Sequence, residues 1–503
     1  MHKEDTMKGR TLTVIAPALL FLSACSTTPV ASDRLQVEVV AGSGRAAAMD
    51  EWEEVVVSPL FSKLPQEDQV SALRFAASAA DERGEHAEAH AYRVMLTDYP
   101  SAVPMDVLLR AEGAMRVEDW NDAAAALTAL ARRWPGEVSL EPRPAFIAHV
   151  AFRVGRDKEL RPAYLSLVEA LFEADFKMVY DTPPDGLWED LVLDALQRRD
   201  LPRALDVAGR IQSVGTLLRM KVDRRFDAVV GANPDQFDLA GAARRASADG
   251  QRVMANHPRE LYAFVQHAYA LFDEGRHQEV LAQCDAILAK IERAPDHAPP
   301  YDDLDRSLNW VYNHKAAALR ALGRWHEALA VMEQARRLDE QRGPNVSQTL
   351  NLAVHYNDAG QPARALDVLQ GFECSDAVSP YGCMQLHAAR HRAYREMGRQ
   401  ADAAAAFDYL RSHRDEAEGL WAGAVLDVGD MDAAAALLIE QLQDPLERGA
   451  ALARVQDYRP LPMTPSMRAS HERWQQLLAR PDVAAAIDAV GRRSEQPIYR
   501  TAD

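Results

Sequence analysis

The sequence predicts an all-α solenoid of antiparallel helix pairs, set out as two arrays with an irregular joint between them and a C-terminal capping element. Three observations predict it. Around Trp310–Asp339 the bulky residues Tyr312, Leu319 and Leu322 recur at helical spacing, Gly323 breaks the pattern, and Ala328, Met332 and Ala335 resume it on a second helix. The same device returns along the chain: Gly275, Gly323, Gly360 and Gly398 are each followed five residues later by Val280, Ala328, Ala365 or Ala403. Alanine, the best helix former, comes in runs such as Asp122–Ala126 and Asp402–Ala406, and few stretches alternate long enough to make strands. Small residues at Ala316 and Ala328 stand where two helices must approach. Such a pair cannot bury its apolar faces alone and needs neighbours stacked against it.

At the N-terminus Lys8 and Arg10 precede an apolar run from Leu12 to Leu22, which leads into Leu22-Ser23-Ala24-Cys25. A basic flank, a short apolar segment and a small-residue cleavage site read as a secretory signal over residues 1–24, too short to remain as a spanning helix. Leu22–Cys25 resembles a bacterial lipobox. The resemblance implies that Cys25 is diacylated, becomes the new N-terminus and anchors the chain, several acyl chains giving stable attachment where one does not. Ser26, in place of an aspartate, implies the outer membrane by resemblance to enterobacterial lipoproteins, with the body on the periplasmic side. The alternative is a plain signal peptide in which Cys25 is incidental. Residues 25–50, small and polar, suit a flexible tether.

The Trp310–Asp339 stretch resembles a tetratricopeptide repeat, and the rest of the chain reads as variations on it. Residues 51–212 form a degenerate array. Ala89 to Ala123 and Pro100 to Pro135 both lie close to the ~34-residue period of such repeats. The Tyr99-Pro100 and Trp134-Pro135 exits end helices that proline cannot continue. A weaker turn stands at Gly155, and a further helix pair bends around Arg198–Asp200. Residues 213–258 fit the repeat poorly and read either as a helical joint or as repeats too diverged to see. Residues 259–440 form the cleaner array, with an insertion at Arg293–Asp303 where Pro295, Pro299 and Pro300 cluster, and a shortened unit at Gly429 and Ala433. Residues 441–503 make a helical cap and tail. Helices are expected at Ser470–Leu478 and Val483–Val490, the second capped by Asp482, with fraying after Arg492.

The chemistry-bearing residues are few. Cys374 and Cys383 bracket a connection short enough for a disulfide, and the secretory route leads to an oxidising compartment; such a bond would add about 2–3 kcal/mol. The alternative is two free thiols. Cys284 falls at a core position and reads as an inert buried thiol. His86 with His90, and His387 with His391, stand four apart on a helix, but each pair offers a metal only two ligands, and packing or surface roles are the plainer reading. Gly42-Ser43-Gly44 lacks the flanks of a nucleophile elbow, and there is no phosphate loop, dinucleotide fingerprint or CxxC. No enzyme activity, cofactor or metal is expected. A formal charge of −18 disfavours nucleic acid.

In tetratricopeptide proteins the first helix of each unit lines a concave groove. That resemblance places Tyr262, Tyr269, Phe272, Trp310, Asn313, Arg320, Asn357, Arg392 and Arg395 in a partner-binding groove, of the residue types that peptide-binding surfaces favour. The alternative is that they pack or solvate. Arg392 stands at one position of the carboxylate clamp found in some members, but the matching lysines are absent. The implied function is a lipid-anchored envelope scaffold holding a protein or peptide partner. An accessory lipoprotein of exopolysaccharide export or modification comes second, and a cell-wall hydrolase third.

Overall fold

The computed structural model describes residues 53, 55–295, 297–338, 345–375 and 378–500. The signal sequence, the tether and Cys25 lie outside the described residues. No strand is formed among them; only two isolated bridges, Asp223 with Gly491 and Asp457 with Glu495, depart from helix and turn. The chain is an all-α, tetratricopeptide-like solenoid of helix pairs, and it separates into two compact units, one ending at Ile211 and the other beginning at Gln212.

The first unit holds α1 (Gln66–Glu82), α2 (His86–Thr97), α3 (Pro104–Arg116), α4 (Trp120–Arg133), α5 (Arg143–Gly155), α6 (Arg161–Glu173), α7 (Asp185–Gln197) and α8 (Leu201–Ala208). Alanine lets the backbones close up: Ala72, Ala76 and Ala80 on α1 and Ala89 on α2 have no exposed surface. Each tight turn uses one left-handed residue, after which an amide reaches back to a carbonyl five positions earlier. Gly84 supplies it between α1 and α2, with Glu85 N donating to Ala80 O at 2.8 Å. Glu118 (φ 60°) and Arg199 (φ 63°) supply it between α3 and α4 and between α7 and α8. The aspartate that follows does double service: Asp119 accepts from Asp122 N at 2.9 Å, and Asp200 from Arg203 N at 3.1 Å, so each caps the next helix. Arginine–carboxylate pairs then fasten the helices. Arg74 of α1 holds Asp106 of α3 in a fork at 2.9 and 2.7 Å, from one pair to the next, while Arg110 holds Asp122 and Arg93 holds Asp81 within their pairs.

The second unit opens with α9 (Val214–Val222), α10 (Asp227–Ala232) and α11 (Leu239–Asn256), and α11 packs along α12 (Leu261–Glu274). It continues through α13 (His277–Arg293), α14 (Leu304–Ala321), α15 (Trp325–Ala335), α16 (Val346–Asp358), α17 (Pro362–Val368), α18 (Pro380–Glu396), α19 (Gln400–Ser412), α20 (Glu418–Val428) and α21 (Met431–Gln443). Five pairs result, α12/α13 to α20/α21, and every turn is made by a glycine at positive φ: Gly275, Gly323, Gly360, Gly398 and Gly429. The core beneath them joins Phe264, Leu271, Cys284, Leu319, Met332 and Tyr356. The proline-rich insertion ends in Asp303, whose buried carboxylate accepts from Leu261 N at 2.8 Å and Tyr262 N at 2.9 Å. Two amides at the start of α12 that no helical carbonyl can reach are thereby satisfied.

The last elements are α22 (Arg448–Arg454), α23 (Pro465–Leu478) and α24 (Pro481–Val490). Helix α23 starts at Pro465, five residues before the expected Ser470, because Thr464 caps it by accepting from Met467 N at 3.2 Å. Asp482 lies inside the first turn of α24 rather than at its cap. The chain after Arg492 is docked, not frayed. Gln496 N donates to Asp457 O at 2.8 Å, Tyr499 N donates to Asp273 O at 3.1 Å, and Gln496 and Ile498 are buried. Arg492 N donates to Val222 O at 2.9 Å, so the end of the unit lies against its first helix.

Candidate functional site

In each pair of the second unit the first helix (α12, α14, α16, α18, α20) carries the residues expected to meet a partner. Its apolar stripe packs on its neighbours, and the residues beside that stripe decide what the face offers. Tyr262, Tyr269, Trp310, Asn313 and Arg320 are half-buried on α12 and α14. Tyr269 meets His314 edge-on, ring centres 4.8 Å apart. Phe272 turns inward, 2 % exposed, against His277 and His314, and Asn357 is 1 % exposed with its amide donating to Ala389 O at 2.9 Å. Those two belong to the seams between pairs, so the surface they were expected to furnish is carried by their neighbours.

Arg392 and Arg395 come together at the other end of the unit. They line an open cavity of about 350 Å³ with Glu396, Asp427, Ser466 and Arg473. Arg392 bridges Asp358 at 2.7 Å, Glu396 at 3.3 Å and the hydroxyl of Ser466 at 3.0 Å. Burial pulls its guanidinium pKa down, but Asp358, Asp427 and Glu396 together raise it above its ordinary value. Among the described residues no carboxylate pairs with Arg395. Arg473, from α23, donates to Asp427 at 2.9 Å. Reasoning from the repeat register found Arg392 and Arg395 but not Ser466 or Arg473. The Thr464-Pro465 pair, a capping residue before a proline at the first helical position, was the signal that could have placed α23 correctly.

The remaining candidates are accounted for by packing. Cys374 and Cys383 form a disulfide, Cα atoms 5.5 Å apart, across the connection between α17 and α18. Cys284 is buried, its Sγ donates to Val311 O at 3.5 Å, and burial pushes its thiol pKa up. His86 and His90 turn to different carboxylates, Asp81 and Asp122. His387 stacks on Tyr409 at 3.7 Å, whereas His391 packs on Phe407 and bonds Ala403 O, so that pair does not converge either. Glu53, Glu85 and Glu88 cluster at the start of the first unit, but Arg83 takes the first two and Tyr92 the third.

No family model and no curated protein matches the chain. Solved structures that resemble it loosely include the APC/C hetero-tetramer Cut9–Hcn1, 11 % identical over 88 % of this chain and 86 % of that one, with a TM-score of 0.28. The TPR domain of P58(IPK) is 13 % identical over 75 % of this chain and 99 % of that one, TM-score 0.20. Yeast Tom70 is 12 % identical over 84 % and 100 %, TM-score 0.17. Likenesses this distant add nothing to the helix-pair fold described above.

Proposed function

We propose that this protein is a lipid-anchored envelope scaffold that holds a protein or peptide partner on the first-helix face of its second unit. One observation carries the reading: the first helices of two successive pairs carry half-buried aromatic and polar side chains, Tyr262 and Tyr269 on α12 and Trp310 and Asn313 on α14, with Tyr262 and Trp310 at equivalent positions before their turn glycines. Residues of this kind desolvate well and order cheaply, which is what peptide-binding surfaces use. The histidines and the clustered carboxylates are taken up in ion pairs and cores, so the reading calls for no cofactor and no metal. The anchor rests on the Leu22–Cys25 motif, and the outer membrane, periplasmic side, on Ser26. The charge of −18 speaks against nucleic acid as the partner.

Photo-crosslinkers placed singly at Trp310, Asn313 and the exposed Gln334 of α15 test the surface. The reading expects one partner captured from the first two positions and not from Gln334. Capture from Gln334 alone, or of a glycan, overturns it. Cys25→Ala tests the anchor: the chain should move from the membrane to the soluble fraction, and retention in the membrane removes the lipid from the account.

A further inference from the structure

The tail of the second unit does more than cap it. From Pro462 to Arg473 it meets the ends of four successive first helices, in the order of the repeats. Pro462 lies 3.6 Å from the point where a Cβ on Gly323, after α14, would stand. The Thr464 hydroxyl donates to Asp358 O at the end of α16. Ser466 sits between Arg392 and Glu396 of α18, 3.0 Å from each. Arg473 reaches Asp427 of α20 at 2.9 Å. A short extended stretch followed by a helix, laid across consecutive units and read by side chains at their ends, has the geometry of a bound peptide.

The tail is also weakly held where it crosses. Only Leu477 and Leu478 of α23 are buried, Met467 and Trp474 are half-buried, and the hydrogen bonds and ion pairs between its first three turns and the array run through hydroxyl and guanidinium groups. Such contacts exchange readily with water and contribute little net stability. The flanks are firmly fixed, by Val455 and Gln456 before it and by Val483 and Ile487 of α24 after it. Helix α23 is therefore a loosely held span between two anchors. It also fits its bed incompletely: the cavity opens beneath Ala469 and Ser470, and Arg395 has no carboxylate to meet there.

We infer that Thr464–Leu478 is an internal occupant of the first-helix face, and that the partner of this part of the face is a helical peptide segment that displaces it. The segment carries a hydroxyl residue at its cap, an acidic side chain where the tail has Ser470, and a basic one where the tail has Arg473. This rests on the reading that the first-helix face binds a partner, and it adds the chemistry of that partner and the device that competes with it.

The test uses the full chain and a fluorescein-labelled synthetic peptide of residues 459–480. Ser466→Glu with Arg473→Glu sets like charges against Glu396 and Asp427 and should lift the span. The peptide should then bind the double variant at least about tenfold more tightly than the unsubstituted chain, and the peptide carrying Ser470→Glu several-fold more tightly still. Equal affinity for both proteins, or no binding to a variant with intact helical circular dichroism, overturns the inference. Should the variant lose helicity, hydrogen exchange of the unsubstituted chain decides. Amides of 465–476 should exchange at least about tenfold faster than those of α18 and α24, and equal protection overturns the inference. The two readings fail separately. A partner crosslinked at Trp310 that leaves exchange at 465–476 unchanged removes the displacement and keeps the scaffold. Peptide binding in trans with no crosslink at Trp310 removes the scaffold and keeps the internal occupant.

Discussion

The two units build the same helix pair from different materials. In the first, arginine–carboxylate forks fasten the helices, Arg74 with Asp106 between consecutive pairs and Arg110 with Asp122 within one, and the left-handed turn position accepts Glu118 and Arg199. In the second, every such turn is a glycine, and the seams hold imidazoles in apolar surroundings. Burial lowers the pKa of His314 and of His387 to about 4, that of His355 well below its ordinary value, and those of His267, His277 and His391 as well. Among the described residues of the first unit one histidine is shifted in this way, His149. An arginine fork keeps its charge at any physiological pH, whereas a buried imidazole must stay neutral. One architecture can thus carry opposite sensitivities.

Acid should separate the units. A histidine whose folded pKa is depressed contributes stability that is complete above its unfolded value near 6.5 and is lost as pH falls through the folded value. For His314, shifted to about 4, the loss is roughly 3 kcal/mol by pH 4, and five others act in the same direction, against the opposing gain from Asp273, whose carboxyl burial raises to about 7. The second unit should therefore open between about pH 6 and 4 while the first keeps its protection, as hydrogen exchange followed by unit will show; simultaneous opening would mean the imidazoles are not decisive. Gly275→Ala should be the most damaging of the turn substitutions. A Cβ there would stand 2.2 Å from the Tyr499 ring, so backbone strain and loss of the docked C-terminus add to about 3 kcal/mol in urea unfolding. Asp303→Ala orphans the Leu261 and Tyr262 amides and should cost about 1–3 kcal/mol, with local exchange at the start of α12. Gly360→Ala, at φ +70° with open space for the new methyl, isolates the backbone term at about 1–2 kcal/mol. Glu118→Gly, the reverse change in the first unit, should gain at most about 0.5 kcal/mol, since relief of strain is offset by glycine's greater freedom when unfolded. A large gain there would show that the non-glycine turns are more strained than their hydrogen bonding suggests.

The glycine turns of the second array were legible because glycine is the one residue whose composition announces a left-handed backbone. The turn at Glu118 was not, because an L-residue forced into that conformation leaves no mark in the sequence. Register placed Tyr262, Trp310 and Asn313 correctly on first helices. It could not tell which residues beside the apolar stripe face solvent and which face the next pair, and so Phe272 and Asn357 were grouped with them. Spacing likewise could not distinguish a surface histidine from one caged by Phe264, Tyr269 and Phe272, as His314 is. The docking of Arg492 on Val222 was beyond reach for another reason. It joins backbone groups far apart in the chain, and neither residue type signals the other.

That last contact turns a row into a clasped loop. An open row of repeats frays from its ends and tolerates the gain or loss of a unit, because each repeat answers only to its neighbours. Here the final residues must find the first helix of their own unit, so the number of pairs is set by the need to meet. A nascent chain cannot fasten the clasp until Arg492 has left the ribosome. Until then Val222 waits uncovered, and the slowest step in assembling this unit should be its last.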